Sequence, residues 1–155
     1  MQSYPHFYSI EASAQTTGNV TLSAEGLPVL QTAPPAQFDG PGDQWSPETL
    51  LVAAAADCFA LTFRAIAQVS NLSWTALRCN ATGRLDRLEG ITRFTRFELR
   101  AHLTVPLGTD PGKARRLLEK AEKTCLITNS LALTPTLVCE IQTTANEGIA
   151  ARASA

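Results

Sequence analysis

The chain has little charge and no excess of either sign. Only 17% of its 155 residues are Asp, Glu, Lys or Arg, and 13 basic against 14 acidic residues leave a formal net charge of −1. A general electrostatic grip on nucleic acid or on an anionic membrane wants a basic excess, so neither is expected as a partner. The basic cluster Lys113, Arg115, Arg116, Lys120 and Lys123 reads as a solvated helix face. Histidine is scarce too. His6 and His102 both fall in expected strands, without metal-type spacing to any cysteine, and no zinc site or other metal is expected. A Gly-rich phosphate loop and a Gly-x-Ser-x-Gly elbow are absent, and nothing implies a cofactor. Four cysteines, Cys58, Cys79, Cys125 and Cys139, are too few for a disulfide scaffold at this length. The first residues, Met1 to His6, lack the basic region and apolar run of a signal peptide. A cytoplasmic protein with free or reactive thiols is the expectation.

What is present is apolar. Hydrophobic residues make up 45% of the chain, enough to offset the entropy of ordering it. With so little charge to cover a monomer, part of that surface is expected to be shared in an oligomer. Residues His6 to Ala14 alternate and read as a half-buried strand. A turn at Thr16-Thr17-Gly18-Asn19 leads to a second strand through Val20, Leu22 and Ala24, and Leu27 to Leu30 offers a third. Pro34 to Trp45 is a long loop of the kind that often carries function. It ends at Ser46-Pro47, an N-cap followed by proline at the first helical position. The helix runs to about Val69. Leu50 to Val69 is long enough to raise a membrane span, but Asp57, Arg64 and Gln68 interrupt it on one stripe and Ala dominates the rest. Read as apolar everywhere else, it is expected to be buried on nearly all sides, between a sheet and another helix or between two subunits.

Two further strands follow, one marked by Trp74, Ala76, Cys79, Ala81 and Leu85. The other spans Ile91 to Val105, with Phe97, Leu99, Ala101, Leu103 and Val105 inward. The link from Asp86 to Gly90 suits a hairpin turn. Asp110-Pro111 caps a second helix with an apolar stripe of Ala114, Leu117, Leu118 and Ala121, and a last strand spans about Pro135 to Thr143. The order β-β-β-α-β-β-α-β is α+β, one domain over residues 1–145 with a frayed tail over 146–155. Cys79 and Cys139 fall on inward strand faces and read as small core hydrophobes. Cys58 lies mid-helix after Asp57, and Cys125 ends the second helix. Taken alone, each fits the core or a reactive role, and their distance in sequence excludes a CxxC motif.

Ser46-Pro47-Glu48-Thr49-Leu50-Leu51, followed by Ala53-Ala54-Ala55-Ala56-Asp57-Cys58-Phe59, resembles the signature of the OsmC/Ohr family of osmotically inducible and organic hydroperoxide resistance proteins. Cys125-Leu126-Ile127-Thr128-Asn129-Ser130-Leu131 resembles the family's second cysteine motif, with Leu126 where proline is frequent. The loop Phe38-Asp39-Gly40-Pro41-Gly42 also fits. The resemblance implies an intertwined homodimer of OsmC-like fold, its antiparallel sheets wrapped around a central buried helix. It implies a thiol-dependent peroxidase acting on organic hydroperoxides in oxidative-stress defence. Cys58 would be the peroxidatic thiol, Cys125 the resolving one, Glu48 the residue that orients an activating arginine, and an external dithiol the reductant. The alternative is a protein of this fold that binds a small apolar ligand without turnover. The hydroperoxide-reducing members carry their arginine in the N-terminal hairpin, whereas this chain has none before Arg64, leaving Arg93, Arg96 or His6 as substitutes. Glu48 and Cys58 are ten residues apart, a rise of about 15 Å on a regular helix. Either the helix begins later, or Glu48 serves the partner subunit's thiol.

Overall fold

The computed structural model describes residues 3–144. The expected tail over 146–155 lies outside the described residues. The chain divides into two compact units, one up to Leu51 and one from Val52.

The first unit is an antiparallel meander of β1 (Glu11–Ser13), β2 (Val20–Ser23) and β3 (Leu30–Thr32). The first strand is shorter than its alternation predicts and is exposed throughout, and so are the residues before it, Tyr8 at 94% and Ile10 at 67%. Three short strands have no second layer in their own unit to bury one face, so the pattern does not become a half-buried strand. The third strand starts later than predicted. Gly26, at φ 73°, turns the chain, and the Leu27 N–H donates to the Ala24 carbonyl at 3.2 Å, which draws Leu27 into the turn. The long loop is closed at its ends. The Ala33 N–H donates to the Trp45 carbonyl at 2.9 Å, Thr32 bridges Trp45, and a 3₁₀ turn forms at Ala36–Phe38 between them.

That closure delivers Ser46, which starts α1 (Pro47–Val69). The Thr49 N–H donates to Ser46 Oγ at 3.2 Å, and the Ser46 N–H donates to Thr49 Oγ1 at 2.8 Å. This is a reciprocal cap with threonine where glutamate or glutamine is usual.

In the second unit β4 (Ala76–Leu88), β5 (Ile91–Pro106) and β6 (Thr136–Thr144) form one sheet in that order. Leu88 pairs with Ile91, so the turn is the two residues Glu89 and Gly90 rather than the five predicted. Both have positive φ, 52° and 82°, which matches the twist of a tight hairpin. The inner face of β5 holds Phe97, Leu99, Ala101, Leu103 and Val105, all buried as predicted. Strand β6 runs parallel to β5, which corrects the expectation of purely antiparallel sheets. The physical reason is α2 (Pro111–Thr124), the crossover that a parallel return requires. Asp110 caps it by accepting from the Gly112 N–H at 2.8 Å.

One core forms within the second unit. Phe59, Phe63 and Ala67 of α1 pack with Leu99, Ala101, Leu103 and Val105 of β5 and with Ala114, Leu118 and Ala121 of α2. Phe63 meets Trp74 edge-on, ring centroids 5.5 Å apart. Among the described residues the fold is α+β, two α-helices and two sheets, in the predicted element order.

One chain covers the long helix along a single stripe. Its fully buried residues are Ala55, Phe59, Phe63 and Ala67, a single stripe at four-residue spacing. Asp57, Arg64 and Gln68 face solvent as predicted, but Leu61 is also 46% exposed. A single chain therefore leaves much of its apolar circumference uncovered. By length and composition alone this helix could cross a membrane.

Candidate functional site

Cys58 sits midway along α1, half-buried, beside the stripe that Phe59 anchors. Its sulfur lies 3.9 Å from Thr62 Oγ1, one helical turn further on. Residues i and i+4 of a helix lie one above the other, which brings these two together without any tertiary contact.

Cys125 is fully buried where α2 ends. Its position follows from how that end is capped. The Cys125 N–H donates to the Glu122 carbonyl at 3.3 Å, and the Cys125 carbonyl accepts from the Asn129 N–H at 3.0 Å and from Thr128 Oγ1 at 3.1 Å. Asn129 Nδ2 donates to the Lys123 carbonyl at 3.1 Å, and Ser130 Oγ donates to the Leu126 carbonyl at 2.8 Å. The Thr-Asn-Ser run after the cysteine thus satisfies carbonyls that a helix end leaves open, and so fixes the cysteine's position.

The fold brings the Cys58 and Cys125 thiols next to each other, and the Ile127 backbone N–H turns toward the Cys58 sulfur. Both cysteines are free thiols. Burial pushes the Cys58 thiol above its ordinary value, and the neighbouring Cys125 adds to the rise. The Ile127 N–H and the Thr62 hydroxyl act against it. Nothing cationic in the described part of the second unit acts on this sulfur. Arg93 is exposed, and Arg96 is paired with Glu98 at 3.2 Å. In the first unit His6 is exposed and meets Tyr4 edge-on, centroids 4.7 Å apart.

Cys79 and Cys139 belong to the core face of the sheet, on opposite flanks of Ala101. Burial, and secondarily the charge of Cys125, pushes Cys79 up to about 11. Burial also raises Cys139, against the pull of Arg115. Glu48 lies in the first turn of α1, and its Oε2 is buried without a hydrogen-bond partner among the described residues. The helix is unbroken from Pro47, which excludes the later start that would have moved Glu48 off it.

Sequence reasoning missed two groups. Thr62 is a polar residue in a helix read as apolar apart from Asp57, Arg64 and Gln68, and its i+4 spacing from Cys58 was the available signal. The Ile127 N–H is a backbone group whose direction is set by the turn after α2, and no residue type encodes it.

Two helices on one face of a mixed sheet, each contributing one thiol of an adjacent pair, define an α+β protein with a dithiol centre. The chain belongs to the OsmC-like protein family, whose sequence model matches residues 40–140. Among curated proteins it is 25% identical over 129 residues to the uncharacterized protein YmaD of Bacillus subtilis, a match covering 81% of this chain and 86% of that one. Among solved structures it superposes on an organic hydroperoxide resistance protein OsmC from Legionella pneumophila with a TM-score of 0.70. Identity there is 24%, over 89% of this chain and 99% of that one. An OsmC-like protein of unknown function from Vibrio cholerae superposes with a TM-score of 0.76 at 20% identity, over 88% and 99% of the two chains. Further structural neighbours are named organic hydroperoxide resistance proteins, from Elizabethkingia anophelis and Bacillus subtilis.

Proposed function

We propose that the chain is a thiol-dependent peroxidase that reduces organic hydroperoxides through Cys58 and Cys125. The adjacency of these two thiols, from distant parts of the sequence, carries the reading. The Cys58 thiolate attacks the terminal peroxide oxygen. The O–O bond breaks, the alcohol leaves with a proton, and Cys58 becomes a sulfenic acid. The Cys125 thiolate then attacks that sulfur, an S–S bond forms and water leaves. A neighbour already beside Cys58 suits this step, because a disulfide needs Cα atoms within about 7 Å. An external dithiol exchanges with the bridge, restores both thiols and is itself oxidised.

The activating charge is assigned to a homodimer. The uncovered apolar face of α1 is the surface a second copy would bury, and Glu48, with an unpartnered carboxylate oxygen among the described residues, would orient an activating cation beside the partner subunit's thiol. An apolar helix beside the thiol favours an alkyl or lipid hydroperoxide over hydrogen peroxide. The cytoplasm, where dithiol reductants are plentiful, is the compartment that fits.

One observation favours the second reading, an apolar-ligand protein without turnover. The Cys58 thiol is pushed up rather than down, and no cation in the described part of its unit acts on it. Consumption of cumene hydroperoxide in the presence of excess dithiothreitol separates the two. The peroxidase reading expects multiple turnovers that Cys58→Ser abolishes and Glu48→Gln slows. Peroxide left untouched while all four thiols stay reduced would assign the chain to the second reading.

A further inference from the structure

We infer that Thr62 is a positioning residue, its hydroxyl one turn along α1 serving as the local donor that holds the Cys58 thiolate. The inference concerns the sulfur on which the proposed peroxidase reading rests, but the state of that sulfur can be measured without turnover.

Three observations converge on Thr62. It lies in the stretch Phe59-Ala60-Leu61-Thr62-Phe63, where every neighbour is apolar and where threonine is a poorer helix former than Ala or Leu. Its hydroxyl departs from the usual behaviour of helical threonine, which is to bond back to the carbonyl four residues earlier. Thr124 does so, donating to the Lys120 carbonyl at 2.8 Å. The Thr62 hydroxyl instead stands 3.9 Å from Cys58 Sγ and has no other hydrogen-bond partner among the described residues. Finally, the sulfur is half-buried, and among the described residues of its unit the groups that favour its charge are dipoles, the Thr62 hydroxyl and the Ile127 N–H.

A hydroxyl suits both states of the sulfur. It accepts from the thiol when Cys58 is protonated and rotates to donate when Cys58 ionises. The Ile127 N–H is a second donor toward the same sulfur, from the opposite element. The titratable group facing Cys58 from the end of α2 is Cys125, and the next thiol, Cys79, feels Cys125 in turn. On α1 itself Asp57 and Arg64 are exposed.

The test is the pH profile of Cys58 alkylation by iodoacetamide in the fully reduced chain, quantified by peptide mass spectrometry in wild type, Thr62→Val and Thr62→Ser. Valine keeps the volume and branching and removes the donor. Thr62→Val is expected to move the Cys58 profile to higher pH and to slow alkylation at pH 8 about three- to tenfold, since a donor to the charged form lowers a pKa. Thr62→Ser should return the profile to within about twofold of wild type, and the Cys139 profile should not move. Superimposable profiles for wild type and Thr62→Val, at equal melting temperature, would overturn the inference. So would a serine variant that behaves like valine. If Thr62→Val loses its fold, Thr62→Ser and Thr62→Ala take its place, with the same opposition between donor kept and donor lost. A shifted profile in a chain that consumes no hydroperoxide would keep this inference and end the peroxidase reading. Turnover in wild type with an unmoved valine profile would do the reverse.

Discussion

Gly83→Ala tests whether the sheet is packed as described, because the structure sets two opposing effects against each other there. Gly83 lies inside β4, directly opposite Phe97 on β5. A Cβ at this position would stand 2.6 Å from Phe94 Cε1, 2.9 Å from Phe94 Cδ1 and 3.0 Å from Val52 Cγ2. Phe94 cannot yield freely, since its ring lies against Phe97, centroids 5.0 Å apart, and Phe97 is fully buried. To reach ordinary contact the ring must shift by about 1 Å, and overpacking of this kind costs about 1–3 kcal/mol. Replacing a strand glycine by alanine returns about 0.5–1 kcal/mol through the unfolded chain. The net expectation is a loss of about 0.5–2 kcal/mol. In a chain of this size that lowers the melting temperature by roughly 2–6 °C. Differential scanning calorimetry reads the loss, and Phe94→Leu on the Gly83→Ala background should recover part of it by removing the ring that clashes. An unchanged or higher melting temperature for Gly83→Ala would refute the packing argument.

Stability should also fall in alkali. Cys79 holds its proton to about pH 11 in the folded chain against an ordinary 9.0, so between those values the unfolded chain ionises first and unfolding becomes easier as pH rises. Discounted for partial exposure this amounts to about 1 kcal/mol, and Cys79→Ser should flatten the slope of a urea-denaturation series over that range. Ala55→Leu inserts bulk at a fully buried position of α1 and should cost about 1–3 kcal/mol in thermal melts, with the half-buried Ala54→Leu costing less. Cys125→Ser removes the thiol beside Cys58. It should permit one turnover with a hydroperoxide and then leave Cys58 as sulfenic or sulfinic acid, detectable by mass spectrometry.

Much of the fold is written locally. Ser46-Pro47 and Asp110-Pro111 each place a cap and a first-turn proline, and both helices start there. The alternation of Phe97 to Val105 marks the buried face of β5 because a helix layer covers only that side. Where alternation misled, at His6 to Ala14, the missing ingredient was a covering layer, which no local pattern reports. The parallel pairing of β6 also escaped, since strand direction is set by where the crossover helix returns. The site divides in the same way. Cys58 and Cys125 stand out through motifs, but their adjacency is a tertiary fact. Thr62 was readable from its spacing, while the Ile127 N–H depends on how the turn after α2 closes. A thiol buried midway along an apolar helix with no arginine ahead of it in the sequence is expected to be raised, and the Cys58 thiol is raised.

The measurement closest to the central claim is peptide mapping, under non-reducing conditions, of the reduced chain after one equivalent of tert-butyl hydroperoxide. The account predicts a single intramolecular Cys58–Cys125 disulfide, with Cys79 and Cys139 recovered as free thiols. Four free thiols beside unconsumed hydroperoxide, or a bridge that includes Cys79 or Cys139 in place of this pair, would contradict it.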